Sequence, residues 1–343
     1  MTQMDFSLLY FANREVTDAP HEYDLLLAAA EFADEHEFTA LWLPERHFHP
    51  FGGAYPNPAL AAAALATRTS RVRLRAGSVV LPLHDPLTVV EDWGFVDNLS
   101  RGRVDLAIAT GWNSQDFVLA PDRFLDRRTE LPAMVGELQD LWRGKTVRRR
   151  CGTGEEVEVS TYPRPVQESL ELWLTCSSSL ATFELAGALG VNVLTALLFQ
   201  RVDELEPKIA AYRKALAAHG HDPVARTVTL MVHTFVGRTD AEVREIVRQP
   251  FIQYLRSSMD LWRGQWPELN RGVRDQDRLL GFAFERYFRT SALFGSVETT
   301  AAFVEELQAI GVNEVAALID FGVSAEAALG ALVHLDELRA RFV

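Results

Sequence analysis

Short apolar runs rich in β-branched and aromatic residues recur along the chain, and longer amphipathic stretches separate them. Such runs, bounded by turn residues, are typical of buried strands, while apolar positions at helical spacing indicate helices. We predict strands over 6–11, 39–43, 72–81, 104–110, 170–176, 191–197, 227–237 and 312–319. We predict helices over 20–36, 85–99, 123–142, 179–189, 201–219 and 325–342, with a further alanine-rich helix over 59–66.

This alternation of strands and helices predicts an α/β fold, a (β/α)8 TIM barrel with insertions. No low-complexity linker or internal repeat divides the chain, so we expect one domain over 1–343. Two segments interrupt the rhythm: an irregular or hairpin excursion over 143–163 and a Trp- and Phe-rich stretch over 249–290. Both are candidate lids, although most aromatic residues at helical spacing pack into a core.

Composition narrows the classes of partner. The 343 residues are 48% hydrophobic and carry a net charge of -13, which argues against nucleic acid and anionic membranes as partners. Cys151 and Cys176 are far apart, so the sequence predicts neither a disulfide framework nor a metal site, and a cytoplasmic location fits. The sequence shows no signal-peptide pattern and no apolar run of membrane-spanning length.

The segment LWLPERHFHPFGGAYPNP, at 41–58, is the strongest candidate for chemistry. A buried strand ends at Pro44, and Arg46, His47 and His49 follow directly. Active sites of (β/α)8 barrels lie at this carboxyl edge of the strands. The alternative is an ordinary loop with solvated histidines, and a single His-x-His is a poor metal motif without further ligands.

A second candidate is LTCSSSLATFELAGALG, at 174–190, where a predicted strand leads through three serines into a helix. The helix start and its hydroxyl groups can bind a phosphate, but the same serines can simply cap the helix, and local chemistry alone favours neither. The chain lacks the G-x-G-x-x-G, Walker, G-x-S-x-G and H-E-x-x-H motifs. A Rossmann dehydrogenase and an ordinary serine hydrolase are therefore not expected.

Over most of its length the chain resembles the flavin-dependent monooxygenases of the bacterial-luciferase type. The resemblance is carried by LWLPERHF, GSVVLPLHDP at 77–86, EDWGFVDNLSRGRVDLAIATGW at 91–112, the serine segment and LFGSVE at 293–298. PERHFHPFGGAYPNP, VLTALLFQ and LMVHTFVG are most similar to the subgroup associated with polyketide and nonribosomal peptide biosynthesis. The resemblance implies a barrel fold, reduced FMN supplied by a separate flavin reductase, and O2 as co-substrate.

The resemblance also implies roles for individual residues. Gly77 and Ser78 match a bed under the flavin ring that often contains a non-proline cis peptide bond. The phosphate-binding turn of the family matches Ser178, Ser179 and Thr182. His47 and Asp116 match positions beside the reactive face of the flavin, with His47 as a proton shuttle that Asp116 orients.

The chain departs from luciferase at two positions. Arg46 replaces the first histidine of the luciferase motif, and Thr110 stands where luciferase has a phosphate-binding arginine. Light emission is therefore not expected. Arg46 can anchor an anionic substrate or pair with a nearby carboxylate, and Arg289 can supply the phosphate charge or be a solvated residue. His233, facing inward from a predicted strand, is a candidate proton donor, although such a histidine is more often a hydrogen-bonded core residue.

Three functions remain open at this stage. The preferred one is a two-component monooxygenase that oxygenates a small secondary-metabolite intermediate, either free or tethered to a carrier protein. The second is a deazaflavin-dependent oxidoreductase on the same barrel, and the third is a non-catalytic flavin-binding subunit.

The alanine-rich segment also suggests close packing against a second subunit, and hence a homodimer, although packing within the monomer would look the same.

Overall fold

A computed structural model describes residues 3–11, 23–198, 200–263 and 276–343, with the side chains of 259–263, 276, 277 and 279 left aside. Eight parallel strands close a barrel in the order β1, β2, β3, β4, β7, β8, β9, β11, and β11 pairs with β1. The predicted (β/α)8 barrel is confirmed, and each of its strands overlaps one of the eight predicted runs. The strands are β1 Asp5–Leu9, β2 Ala40–Leu43, β3 Arg73–Val80, β4 Val104–Ala109, β5 Val147–Arg150, β6 Glu156–Val159, β7 Leu172–Thr175, β8 Asn192–Ala196, β9 Val228–Gly237, β10 Leu293–Ser296 and β11 Glu314–Leu318.

Helices surround the barrel and begin at residues suited to helix starts. Asn57 caps α2 by accepting hydrogen bonds from the amides of Ala59 and Leu60, and Asp85 caps α3 through the amide of Leu87. Pro58 and Pro86 then occupy the first helical positions, where a missing amide proton costs nothing. The helices are α1 Asp24–Glu35, α2 Pro58–Ala66, α3 Pro86–Ser100, α4 Arg127–Trp142, α5 Leu180–Leu189, α6 Val202–Ala218, α7 Asp240–Arg263, α8 Gln276–Thr290, α9 Val297–Ala309 and α10 Ala325–Arg339.

The alanine-rich helix α2 buries one face within the chain. Ala59, Ala62 and Leu65 are buried, so packing inside the monomer accounts for the small residues on that side. Leu60 on the opposite side is 70% exposed. A homodimer stays a prediction, which sedimentation equilibrium would test. Over the ranges that the structure describes, no helix combines the length and the apolar character needed to cross a membrane.

The two predicted insertions have different structures. Within 143–163, β5 and β6 form the expected antiparallel hairpin, which Arg149 ties to Glu137 of α4. The stretch 249–290 falls on α7 and α8, with 264–275, including Trp266, outside the described residues. Phe284 and Tyr287 are buried there while Phe282 is 63% exposed, so these aromatics are divided between core and surface. Lid roles for either segment stay predictions.

A buried charge cluster fills part of the barrel interior. Arg75 on β3 donates to both oxygens of Glu314 on β11, at 2.9 and 2.8 Å, and to Asp105 on β4 at 2.8 Å. The guanidinium lies between two indole rings, 4.9 Å from the centroid of Trp42 and 4.5 Å from that of Trp173. The charges of Glu314 and Asp105 outweigh the effect of burial and raise the pKa of Arg75 above its ordinary value. The cluster therefore joins strands from the first and last parts of the chain.

The remaining oxygen lone pairs of Glu314 are also used. Ser7 donates to Glu314 at 2.6 Å, Thr229 at 2.9 Å and the indole of Trp42 at 3.1 Å. A buried charge is tolerable when it is both paired and hydrogen-bonded, and Glu314 meets both conditions. The cluster is consequently a fixed floor beneath the upper part of the barrel.

We predict that Glu314→Gln destabilises the protein strongly. The substitution leaves the guanidinium of Arg75 buried with only one carboxylate, and removing one partner from a buried ion pair costs on the order of 3–5 kcal/mol. Urea denaturation followed by circular dichroism measures the change. Glu31→Gln removes a partner from the half-exposed pair with Arg68 and is the control, with an almost unchanged midpoint. Equal midpoints for the two variants would contradict a stabilising role for the cluster.

Candidate active site

Side chains from the ends of β2, β3 and β4 meet at the carboxyl edge of the barrel. The loop after β2 folds back on itself, with the amide of Arg46 donating to the carbonyl of Tyr55 at 3.0 Å. Gly52 adopts a φ of +80°, and a Cβ there would lie 3.0 Å from Cγ of Arg46. Only glycine suits both conditions, so this loop is shaped around the arginine.

Glu45 is the centre of the polar cluster at this edge. Its side chain is 1% exposed, and one carboxylate oxygen contacts Nε2 of His47 at 2.8 Å and Nε2 of His84 at 2.6 Å. The other oxygen accepts from the amide of Val80 at 2.7 Å. Burial alone would raise the pKa of Glu45, but the hydrogen bonds from the two histidines and from Val80 lower it. Glu45 is therefore a carboxylate that holds two imidazoles.

His84 was not among the residues predicted for the site. It follows β3 as His47 follows β2, and its place within GSVVLPLHDP was the only signal for it in the sequence. Burial lowers the pKa of His84, but the hydrogen bond and charge of Glu45, with the charge of Asp92, raise it overall despite Arg123. His84 is partly exposed, at 30% of its side chain, so the cluster extends from His47 toward the surface.

Asp116 makes a different contact from the expected one. In the described part of the chain, His47 pairs with Glu45, whereas Asp116 lies 3.5 Å from Nη1 of Arg46 and accepts from Asn113 at 2.8 Å. Burial raises the pKa of Asp116, although the charges of Arg46 and His47 act in the opposite direction. The expected convergence at one barrel edge is found, but Glu45 and not Asp116 orients His47, because Glu45 comes from the same tight loop.

The predicted flavin bed has the expected backbone. The peptide bond between Gly77 and Ser78 is cis. A Cβ at Gly77 would lie 3.2 Å from Cβ of Trp42, so the backbone packs directly on the indole. The hydroxyl of Ser78 hydrogen-bonds that of Thr175, at the end of β7. This contact ties the bed to the strand that leads into the serine turn.

The serine turn, residues 177–179, leads into α5 without a side-chain cap on the helix. Ser178 and Ser179 are exposed, and Thr182 is half-buried in the first turn of α5. Ser179 is the N-terminal cap residue of this helix, yet its side chain makes no capping hydrogen bond. The capping explanation therefore does not account for Ser179. Hydroxyl groups and free amides at a helix start are chemically suited to a phosphate.

The two other predicted phosphate residues lie on separate elements. Thr110 directly follows β4 and is half-buried, and Arg289 is an exposed residue in the last turn of α8. Among the described residues, neither forms a hydrogen bond with the serine turn, and their roles stay predictions.

His233 is a buried member of an aromatic cluster. Its ring is surrounded by those of Phe251, Tyr254, Tyr287 and Phe321, with centroids 4.7–5.8 Å away. Nδ1 lies 3.1 Å from the hydroxyl of Tyr287, and burial lowers the pKa of His233 to about 3. His233 is thus neutral at neutral pH, which favours the core interpretation over an acid that donates a proton.

Comparisons with known proteins agree with this architecture. The sequence model of the luciferase-like monooxygenase family matches residues 4–314. The chain is 26% identical over 335 residues to the oxygenase component of a flavin-dependent trigonelline monooxygenase from Acinetobacter baylyi, covering 94% of this chain and 91% of that one.

Two solved structures share the fold. The oxygenating constituent of 3,6-diketocamphane monooxygenase from Pseudomonas putida, in complex with FMN, aligns with a TM-score of 0.81 at 18% identity, over 99% of this chain and 98% of that one. The coenzyme F420 dependent tetrahydromethanopterin reductase of Methanopyrus kandleri aligns with a TM-score of 0.75 at 15% identity, over 100% of both chains. At these identities the likeness concerns the fold alone.

The chain belongs to the luciferase-like monooxygenase family, since the family match spans almost its whole length. It is accordingly an oxidoreductase of the monooxygenase class.

We predict that His84 titrates above its ordinary pKa of 6.5 and that Glu45→Gln removes this upward shift. Because the pKa of His84 is raised in the folded state, the Glu45–His84 interaction contributes its full stabilisation of the folded protein below about pH 6.5. This stabilisation is lost as the pH rises through the folded-state pKa. Histidine side-chain NMR across a pH series measures both states. The exposed His219 is the internal reference, and its signals should be the same in the parent and in Glu45→Gln. An unshifted His84 in the parent protein would contradict the coupling.

Proposed function

We propose that this chain is the oxygenase component of a two-component system, which receives reduced FMN from a separate flavin reductase and uses O2 to oxygenate a small organic molecule. One observation carries the proposal. The Ser78–Thr175 hydrogen bond joins backbone that packs on the indole of Trp42 to the strand that leads into α5, whose N-cap side chain makes no capping hydrogen bond. This arrangement offers a flat bed for a ring and donors for a phosphate on adjoining loops. The similarity to a named oxygenase component over 94% of the chain supports it.

The residues present fit FMN. Gly77 and Ser78 would support the ring, and Ser178, Ser179 and Thr182, with the amides that begin α5, would bind the phosphate. Thr110 and Arg289 are assigned to the same phosphate site on the resemblance alone. Bound reduced FMN would supply the electrons for oxygen activation.

The protein contributes proton handling and exclusion of water. His47 holds a proton at Nε2 against the Glu45 carboxylate, and His84 holds a second one against the same oxygen. Histidine suits a group that must gain and lose a proton near neutral pH. The buried rings of Tyr254 and Tyr287 pack against His233 and would limit access of water. His47, with Glu45 as its orienting partner, is the residue we assign to proton transfer.

An F420-dependent oxidoreductase is the second candidate, because a protein of that kind shares the fold at a TM-score of 0.75. Such an enzyme transfers hydride and does not consume O2. A non-catalytic flavin-binding subunit would bind flavin without either reaction. Oxygen consumption with reduced FMN distinguishes the preferred function from both.

For the substrate, a free small molecule of secondary metabolism is favoured over one tethered to an acidic carrier protein. The net charge of -13 opposes docking of such a carrier. Arg148, Arg149 and Arg150 would have to form the basic patch, but Arg148 pairs with Glu158 and Arg149 with Glu137. Local carboxylates thus neutralise much of the patch. Turnover of a carrier-bound substrate without turnover of the free form would overturn this preference.

We predict that reduced FMN binds more tightly than reduced riboflavin, because only FMN carries the phosphate. Thr182→Ala should weaken FMN binding by about 1 kcal/mol, the typical loss for one hydrogen bond, and leave riboflavin binding unchanged. Anaerobic fluorescence titration measures both affinities. Thr299→Ala, on α9, removes a hydroxyl remote from the serine turn and is the matched control. Equal affinities for the two flavins would remove the phosphate site from the proposal.

We predict that His47→Ala keeps FMN affinity but uncouples oxygen use from substrate oxygenation. In the parent protein with a substrate, less H2O2 should form than O2 is consumed, whereas in the variant the two amounts should be equal. An oxygen electrode and a peroxidase assay measure the ratio. His219→Ala, an exposed histidine at the end of α6, is the control and should behave as the parent. Normal coupling in His47→Ala would leave that histidine with a structural role only.

A further inference from the structure

Arg46 is buried but its hydrogen-bonding capacity is largely unused. Its side chain is 4% exposed, and neither Nε nor Nη2 has a hydrogen-bond partner. Nη1 lies 3.5 Å from Asp116, and the guanidinium lies 4.6 Å from the ring centroid of Trp112. The carboxylate of Asp116 therefore contacts only one edge of the Arg46 guanidinium, which has five N–H donors.

The other buried arginines in the described part of the chain provide an internal comparison. Arg103 donates from all three of its nitrogens, to Ser100, Thr69 and other acceptors at 2.7–3.3 Å. Arg75 donates to two carboxylates. Each of these two arginines thus donates at least three hydrogen bonds from at least two of its nitrogens. Arg46, at the carboxyl edge of the barrel, differs from both.

An unsatisfied buried cation is costly, so the fold alone does not explain this arrangement. Burial lowers the pKa of Arg46, and the charges of Asp116 and Tyr254 only partly oppose that effect. An arginine fork of Nε and Nη2 matches the two oxygens of a carboxylate in a bidentate pair. A ligand with this group would satisfy both unused donors at once.

The surroundings of Arg46 indicate the rest of such a ligand. Tyr254 is close enough for its charge to affect the pKa of Arg46, and its ring lies 4.8 Å from that of Phe51 and 4.7 Å from that of His233. These rings are largely apolar, with the hydroxyl of Tyr254 and the two ring nitrogens of His233 as their polar atoms. Nε2 of His233 is a third buried nitrogen without a hydrogen-bond partner. An apolar or aromatic body with at most one further polar group suits these surfaces.

We propose that Arg46 is the anchor of a substrate-carboxylate site, and that the enzyme acts on an organic acid whose apolar body packs against Tyr254 and Phe51. Asp116 holds Nη1 and leaves the Nε and Nη2 edge for the ligand. This inference rests on the proposed function, since it names the substrate class for that site. All of the proposed contacts with the acid come from side chains of the protein, so acid binding and flavin binding can be measured separately.

The experiment compares acids with their neutral amides by calorimetry on the flavin-free full chain. The probes are benzoate with benzamide, and hexanoate with hexanamide. We expect at least one acid to bind about tenfold or more tightly than its amide, because charge-assisted hydrogen bonds are lost in the amide. If neither acid is preferred, the carboxylate site does not exist.

Three variants test whether the preference for the acid over the amide depends on Arg46. Arg46→Met should abolish it, Arg46→Lys should retain only part of it, and Asp116→Asn should strengthen acid binding because a competing carboxylate is removed. Arg148→Met, an exposed arginine on β5, is the matched control and should bind as the parent. If Arg46→Met still prefers the acid over the amide, the proposal is wrong. If Arg46→Met does not fold, the other two variants decide, and an unchanged acid affinity in both Arg46→Lys and Asp116→Asn overturns the proposal.

The flavin measurements separate this inference from the proposed function. Arg46→Met should keep the affinity for reduced FMN, and a loss equal to the loss of acid binding would show that Arg46 serves the flavin instead. If the acid preference depends on Arg46 but the parent chain does not bind reduced FMN, the carboxylate site stands and the proposed function fails.

Discussion

The buried pairing of Arg75 with Glu314 and Asp105 is the constraint on which the rest of the structure depends. It links β3 and β4, from the first third of the chain, to β11 near its end, and the barrel closes where β11 pairs with β1. Apart from Arg289 on α8, every candidate site residue lies on a strand of this ring or in the segment that follows one. Their distances from one another are therefore fixed by closure of the barrel, and charges in the low-dielectric interior make a different register costly.

Buried polar groups in the floor of the barrel and at its carboxyl edge differ in how many hydrogen-bond partners they have. In the floor, Arg75 donates from Nε and Nη1 to two carboxylates, and both oxygens of Glu314 accept hydrogen bonds. At the edge, Glu45 is satisfied, but Arg46 and His233 retain buried nitrogens without partners. Polar groups with all their hydrogen bonds made help to specify a fold, whereas buried polar groups without partners are expected where a ligand supplies the missing hydrogen bonds. This contrast is the physical basis for locating function at the carboxyl edge.

The sequence predicted the strands well because period, length and flanking turn residues are local properties. At 143–163 the sequence predicted an irregular or hairpin excursion, and the structure shows that it is a hairpin. The stretch 249–290 was interpreted only as an aromatic insertion, and its helices α7 and α8 were missed. Their aromatic residues pack on His233 in the barrel mouth, so the pattern reflects tertiary burial as much as helical period. The cis bond at Gly77–Ser78 was expected from the family resemblance and not from local propensity.

By itself, the sequence determined the barrel and placed the candidate site residues at the carboxyl edge of its strands. Those features follow from short-range patterns and from motifs that adjoin strand ends. Only the tertiary structure decided which side chains meet: Glu45 holds His47 and His84, Asp116 pairs with Arg46, and His233 is neutral inside an aromatic cluster. Such pairings depend on burial and on hydrogen bonds between strands distant in sequence, and the closed barrel sets both.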